Sequence, residues 1–344
     1  MVQWRHKPKV LVFVGTGAGD NFDKRFWFFK YLTKHLDIIV IGSKVSFDDK
    51  LGQIFKTLHN LILILPYLHH YDIIVSHDLV NAFLLHFLAK ILRLKSRNII
   101  IDTVGSYYVF TEHNKLAWLA RLLAKWLFSN SEIICVLSYS QKIWKKLLGL
   151  SSKIYYIPYG VSEEYFKISG QLGDYLFSGG RSQRDFLTLI QAVKGLNVKL
   201  IIATYGSLLP ELKERYHNIY IYHNLSSSKF MELLSKAMIV IVPLKGYLPP
   251  AGGTMVRQAM AIGKCVVATR NVDVNDSIID GETGIYVKPH DVLHMREKLS
   301  HLLDNPEEIH QLGSKAKEYA EKYHSEKSMA KRFLKILCEA KDEH

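Results

Sequence analysis

Short apolar runs recur along the chain, separated by longer helical stretches, and this alternation restricts the fold more than any other feature. Lys9–Val14, Asp37–Ile41, Tyr71–Ser76, Asn98–Asp102 and Glu132–Leu137 form a first series, closed by Lys153–Gly160. Tyr175–Ser178, Val198–Ala203, Ile219–Tyr222, Ile239–Val242, Cys265–Ala268 and Ile285–Val287 form a second. Runs that are apolar throughout are strands covered on both faces, as a parallel sheet with helices on either side requires. Each series therefore predicts one doubly wound, Rossmann-like α/β layer. The polar stretch Glu163–Gly173 reads as the linker between them. The expected domains are 1–165 and 170–322, facing across a cleft that is the natural ligand site. Ser314–Glu339 is helical and basic with a break near His324 and Ser325, and the last part, about 325–344, is expected to pack back on the first domain.

Pro249–Lys264 (PPAGGTMVRQAMAIGK) lies between two of these strands and opens a helix on a glycine turn. Gly252 and Gly253 lack a Cβ, so backbone can approach a ligand closely. The N–H groups of Gly253, Thr254 and Met255 would then face outward at the positive end of the helix dipole, a phosphate-binding arrangement. Gly263 suits the left-handed residue that ends a helix. An ordinary βα turn produces the same pattern.

The 344 residues are 48% apolar, enough for two cores. A formal charge of +13 favours acidic partners: nucleotides, nucleic acid or anionic membrane. Three widely spaced cysteines, Cys135, Cys265 and Cys338, argue against a disulfide framework or a zinc site and for a reducing, cytoplasmic compartment. The N-terminus runs from a basic segment straight into a strand, unlike a signal peptide. The longest greasy stretch, Leu61–Leu68, contains Pro66 and falls short of the ~20 residues of a membrane span. Any membrane contact is therefore expected to be peripheral, on the inner face. Phe22–Leu36 reads as a core-facing helix with a solvated basic side formed by Lys24, Arg25, Lys30 and Lys34, whose aromatic end could also meet a membrane.

The first strand ends in a glycine cluster, Gly15 to Gly19, centred on Gly17. A dinucleotide fold opens in this way but needs an acidic residue after the second strand, where this chain has Gly42 and Ser43. His77 and Asp78 follow the third run, at the end of the strand where open α/β sheets bind ligands, although polar residues there also cap helices.

Three ordered motifs, IPYGVSEEYF, LFSGGRSQRDFLTLIQAV and VPLKGYLPPAGGTMVRQAMAIGKCVVATRNVDVNDSIIDGETGIYV, resemble retaining glycosyltransferases of family four, which have the two-Rossmann-domain GT-B fold. The resemblance covers the second half throughout and the first half in outline. It implies sugar transfer from a nucleotide-diphosphate donor, with retention, no essential metal and no further cofactor. The donor would sit on the C-terminal domain and a glycan or lipid-linked acceptor on the N-terminal one. Mapped onto this chain, Gly180, Arg181 and Arg184 with the Gly252–Gly253–Thr254 turn hold the diphosphate, and the Gly17 loop faces the site. Guanidinium groups and fixed backbone donors suit the charge that builds on a leaving diphosphate. The competing role for Arg184 is an ion pair with Asp185 or another local acid.

The family's two glutamates around the glycine turn are replaced by Pro250 and Gln258, so Gln258 becomes the ribose ligand, without a charge. The family's N-domain histidine is missing from Ile101–Tyr107 (IDTVGSY). Asp102 is the catalytic candidate there, with Thr103, Gly105, Glu112 or His113 as neighbours; a capping or core role for Asp102 is the alternative. Base selection would fall to a segment such as Thr204–Ser207. Three other readings remain: a catalytically weak nucleotide-sugar-binding relative, which the missing histidine and the uncharged Gln258 leave open; a nucleotide-sugar 2-epimerase on the same fold, which would need an acidic and histidine-rich constellation; and a nucleic-acid binder, which would need a localised basic stripe. The basic residues are instead spread over both halves, with clusters at Lys142–Lys146 and Lys315–Lys335, a pattern suited to anionic lipid.

Overall fold

The computed structural model describes residues 6–14, 27–42, 59, 62, 65–77, 79–111, 115–149, 153–170, 172–205 and 217–339. The chain divides into two compact units, Met1–Tyr159 with Met329–His344, and Gly160–Ser328.

In the first unit the strands are β1 (Lys9–Val14), β2 (Asp37–Gly42), β3 (Ile73–Ser76), β4 (Arg97–Asp102), β5 (Glu132–Cys135) and β6 (Ile154–Tyr156). They form one parallel sheet in the order β2-β1-β3-β4-β5-β6. The helices between them are α1 (Leu79–Ile91), α2 (Gly105–Phe110), α3 (Ala117–Phe128) and α4 (Ser138–Leu148). Val10, Val12, Ile73, Val75, Ile99 and Ile101 line one face of the sheet core. The order reverses direction between β1 and β3, the switch point where such sheets open a crevice.

The expected helix over Phe22–Leu36 is reduced, in its described part, to a short 3-10 segment, Trp27–Tyr31. Aromatic residues lose rotamer freedom in an α-helix. Packing outweighs periodicity here: Phe28 and Phe29, adjacent in sequence, are both fully buried and stack on each other. Both rings also meet Phe333. Lys24 and Arg25 lie outside the described residues.

In the second unit the strands are β7 (Tyr175–Gly179), β8 (Lys199–Thr204), β9 (Ile219–His223), β10 (Ile239–Val242), β11 (Cys265–Thr269) and β12 (Ile285–Val287). The order is β12-β11-β10-β7-β8-β9, again all parallel. Counted from β7, this is the dinucleotide-fold order 3-2-1-4-5-6 read from the other edge, with its switch point between β7 and β10. Its helices are α5 (Glu163–Lys167), α6 (Phe186–Val193), α7 (Ser227–Ser235), α8 (Gly253–Ile262), α9 (Val292–Asp304) and α10 (Pro306–Tyr323). Two Rossmann-like units are thus present, as the alternating runs predict.

The stretch Glu163–Gly173, read as a linker, begins with the helix α5. Ser162 caps α5 by accepting from the Glu164 N–H at 3.4 Å, and Tyr165 and Phe166 pack on the core of the second unit. The terminal helix breaks at His324 and Ser325, and α11 (Glu326–Glu339) follows. Its Met329, Phe333 and Leu337 join the core of the first unit. Arg97 ties the same helix to the sheet by donating to the Leu337 carbonyl at 2.9 Å while its guanidinium pairs with Glu132.

Burial makes the first unit acid-sensitive. It pushes His77 and His86 down from 6.5 to about 4, and the His86 Nδ1 is bonded to the Ala82 carbonyl at 2.8 Å. Between those pH values the unfolded chain binds protons that the folded chain refuses, so stability falls as pH drops and is fully present above 6.5. The slope is at most about 1.4 kcal/mol per pH unit for each histidine. Urea melts from pH 7 to pH 4.5 should show it, and His86→Leu should flatten the curve; an unchanged slope would contradict the assignment.

Candidate functional site

The switch point of the second unit gathers two loops. One follows β7, the other follows β10. The first turns at Gly180, whose φ is +112°, and a Cβ there would lie 2.6 Å from Nη2 of Arg184. Glycine therefore makes room for the guanidinium. Arg184 donates from Nε to the Gly179 carbonyl at 2.8 Å and from Nη1 to the Ser182 carbonyl at 2.9 Å. Burial lowers Arg184 to about 10, with the Asp273 carboxylate acting in the opposite sense, so it stays cationic at neutral pH.

Asp185 does not pair with Arg184. It caps α6, accepting from the Thr188 N–H at 3.2 Å and from the Thr188 hydroxyl at 2.7 Å, and its carboxylate also meets Nδ1 of His290 at 2.7 Å. The two loops are joined by backbone: the Asp185 N–H donates to the Pro243 carbonyl at 3.0 Å, and the Lys245 N–H to that of Gln183 at 3.0 Å.

The second loop is pinned by Asn271, a fully buried residue just after β11. Its amide nitrogen donates to the Gly246 and Pro249 carbonyls, both at 2.9 Å. Its amide oxygen accepts from Ala251 N–H and Asp273 N–H, both at 3.0 Å. Gly252 then takes a φ of +88° as the N-cap of α8, and Gly263 a φ of +91° at the other end.

The expectation for Gly253 is corrected here. Its N–H does not face outward for a ligand but donates to Oδ2 of Asp273 at 3.0 Å. The other oxygen of that carboxylate accepts from Nη2 of Arg257 at 3.1 Å, and Arg257 is 3% exposed. A Cβ on Gly253 would sit 2.0 Å from Oδ1 of Asp273, so this glycine serves the internal ion pair.

Arg181, Ser182, Arg184, Tyr205, Gly252, Thr254 and Met255 surround a cavity of about 530 Å³. It joins five of the residues named in the sequence analysis, Arg181, Arg184, Gly252, Thr254 and Met255, with Tyr205 of the Thr204–Ser207 segment. Its lining has two guanidinium-bearing residues, the first turn of a helix and no carboxylate. Such a site can hold an anion with two or more negative oxygens.

Gln258 is not among the lining residues. It is half-buried on α8 and its amide nitrogen donates to the Tyr165 hydroxyl at 2.7 Å. Burial raises the Tyr165 pKa, and this hydrogen bond opposes the shift.

Asp102 departs from the catalytic expectation. It is 1% exposed, Oδ1 accepts from the Ser106 N–H at 3.1 Å, and Oδ2 accepts from Nε1 of the buried Trp144 at 2.8 Å. Burial raises its pKa, opposed by those hydrogen bonds. The residue holds the first turn of α2 and the indole of α4 and presents no free oxygen to a substrate. Gly17, Asp78, Glu112, His113, Gly206 and Ser207 lie outside the described residues, where the structure says nothing of them. Among the described residues no group of three or more His, Cys, Asp or Glu is placed to hold a metal ion.

Asn271, Asp273, Arg257 and Tyr165 complete the site's support, and none of them has a role assigned from the sequence. The trace of Asn271 and Asp273 in the sequence is the polar cluster NVDVND shortly after an apolar strand, at the end of the sheet where ligands bind.

Residues 176–305 match the family model described as glycosyl transferases group 1. A curated relative, the uncharacterized glycosyltransferase MJ1178 of Methanocaldococcus jannaschii, is 26% identical over 214 residues; the match spans 60% of this chain and 60% of that protein. Among solved structures, sucrose-phosphate synthase from Thermosynechococcus elongatus superposes with a TM-score of 0.72 at 14% identity, covering 98% of this chain and 100% of that one. Anabaena HepE, crystallised with UDP, gives a TM-score of 0.68 at 14% identity, covering 95% and 99%. At such identity the structural matches speak for the fold. The family match speaks for the unit that contains the cavity. Residues 176–305 are thus similar to glycosyl transferases group 1, within a chain whose two Rossmann-like units have a fold of the GT-B kind.

Proposed function

We propose that the protein is a glycosyltransferase that moves a sugar from a nucleotide-diphosphate donor to a glycan or lipid-linked acceptor, with retention and without a metal. The observation that carries this reading is the cavity at the β7/β10 switch point, where Arg181 and Arg184 face the first turn of α8. When the bond between the sugar's anomeric carbon and the phosphate oxygen breaks, its electron pair goes to the diphosphate. Two guanidinium groups and a helix N-terminus stabilise that charge in place. Arg184 is already oriented by two carbonyls, so little reorganisation remains for the moment of reaction. The acceptor hydroxyl forms the new bond to the anomeric carbon, and its proton passes to the departing diphosphate oxygen. HepE, of similar fold, is recorded with UDP and with UDP-glucose, which supports a nucleotide sugar in this cavity. Gln258 stands one helical turn beyond Thr254 on the same face of α8, and we assign it the ribose.

The test is to incubate the protein with UDP-, GDP- and ADP-sugars, with and without a chelator, and to follow thermal shift and nucleotide release. One nucleotide series should raise the melting temperature, equally with chelator present. No shift with any of them would overturn the reading.

A further inference from the structure

Helix α3 is apolar nearly all the way round, and only one side of it is used by the fold. Ala117, Ala124, Leu127 and Phe128 face the core of the first unit. Leu116, Trp118, Leu119, Leu122, Leu123 and Trp126 are exposed, from 40% for Leu119 to 62% for Leu116 and Trp118. Single exposed leucines are ordinary, but six large apolar side chains on and beside one 12-residue helix form a patch that calls for a partner.

The patch continues onto α1. The Phe87 ring meets the edge of Trp126 with centroids 6.3 Å apart, and Phe87 and Ile91 are exposed beside it. Nζ of Lys90 lies 4.5 Å above the Trp126 ring and donates to the Trp126 carbonyl at 2.5 Å. The helix is held firmly in this position, because Arg121 donates from Nε and Nη2 to the Phe110 carbonyl, at 2.9 and 2.5 Å.

The charges around the patch have one sign. Lys90, Arg93, Lys95, Lys115 and Lys125 are exposed at its margins. Neither residues 79–101 nor residues 115–131 contain a single Asp or Glu. A second copy of this surface would bring the same cations face to face, which disfavours self-association through it. Anionic phosphates complement it. At about 1.5 Å per residue, α3 is roughly 18 Å long, against a hydrocarbon core of about 30 Å. No helix among the described residues is long and apolar enough to cross a membrane. A short helix with leucines outward, tryptophans near its two ends and lysines at the rim suits the plane of a lipid interface.

We propose that α1 and α3 form a docking surface for an anionic bilayer, with Leu119, Leu122 and Trp126 entering the acyl boundary and Lys90, Lys115 and Lys125 at the phosphate level. The inference is independent of the donor reading, since nucleotide binding belongs to the other unit and can succeed or fail separately.

The full-length protein would be sedimented with vesicles of phosphatidylcholine alone and of phosphatidylcholine mixed with phosphatidylglycerol, at low and high salt. Binding should appear with the anionic vesicles and weaken on adding salt. The double variant Trp118→Glu/Leu122→Glu should bind these vesicles about tenfold more weakly or worse, while Leu293→Glu, at a 78% exposed leucine of the other unit, should bind as the parent does. Lys115→Ser/Lys125→Ser should lose most of the salt dependence. All the replaced side chains are exposed, so circular-dichroism melts should match the parent. Absence of vesicle binding by the parent overturns the proposal. So does binding that the Trp118→Glu/Leu122→Glu change leaves intact. A parent dimer in sedimentation velocity that this change dissociates, without vesicle binding, overturns it in favour of a contact between copies.

Discussion

Arg184→Ala is expected to weaken nucleotide-diphosphate binding by about 2–3 kcal/mol, a loss of roughly 30- to 150-fold in affinity. The reason is geometric as well as electrostatic. The guanidinium belongs to a half-buried residue, is held by the Gly179 and Ser182 carbonyls, and lines a cavity that has no carboxylate among its lining residues. Arg184→Lys should recover only part of the loss, because an ammonium cannot bond both carbonyls and a phosphate in one plane. Gly180→Ala offers an independent route to the same result. The added methyl group would lie 2.6 Å from Nη2 at a φ of +112°, so it displaces the guanidinium without removing it. Isothermal titration with the nucleotide that the parent selects decides the matter. Unchanged affinity in Arg184→Ala would remove the diphosphate from this cavity.

Asp273→Ala is expected to destabilise the second unit by about 3–5 kcal/mol. The substitution leaves Arg257, 3% exposed, as a buried cation without its carboxylate, and strips the Gly253 N–H of its acceptor at the start of α8. An uncompensated buried charge costs far more than the ion pair contributes when intact, so Asp273→Ala/Arg257→Leu should be much closer to the parent than Asp273→Ala alone. Urea denaturation of the three proteins measures this. A loss below about 1 kcal/mol in the single variant would show that Asp273 does not hold the turn. The pair also bears on function: by taking up the Gly253 N–H, Asp273 fixes the first turn of α8 and leaves Thr254 to the cavity.

The sequence made the strands and their parallel pairing legible because burial on both faces leaves a continuous apolar run, visible in a handful of residues. Arg181 and Arg184 came from the resemblance to glycosyltransferase motifs, and Gly252 and Thr254 from the glycine turn that opens a helix. That the four line one cavity is a matter of the sheet, whose switch point brings the two loops together. Phe22–Leu36 misled because periodicity records which side chains are apolar and not which backbone lets them pack: Phe28 and Phe29 are buried together from a 3-10 segment. Asp102 misled for the opposite reason. A carboxylate at a strand end looks the same in sequence whether it faces a ligand or, as here, the Ser106 N–H and the Trp144 indole.

What the chain determined alone was therefore local: which segments are strands, which glycines make turns, and the excess of positive charge. Tertiary structure decided the rest, since contacts far apart in sequence leave no periodic trace. Asn271 reaches back 25 residues to Gly246, and Asp273 reaches back 20 to Gly253. An apolar helix such as α3 carries no sign of which side stays in water until the sheet beneath it has chosen the other.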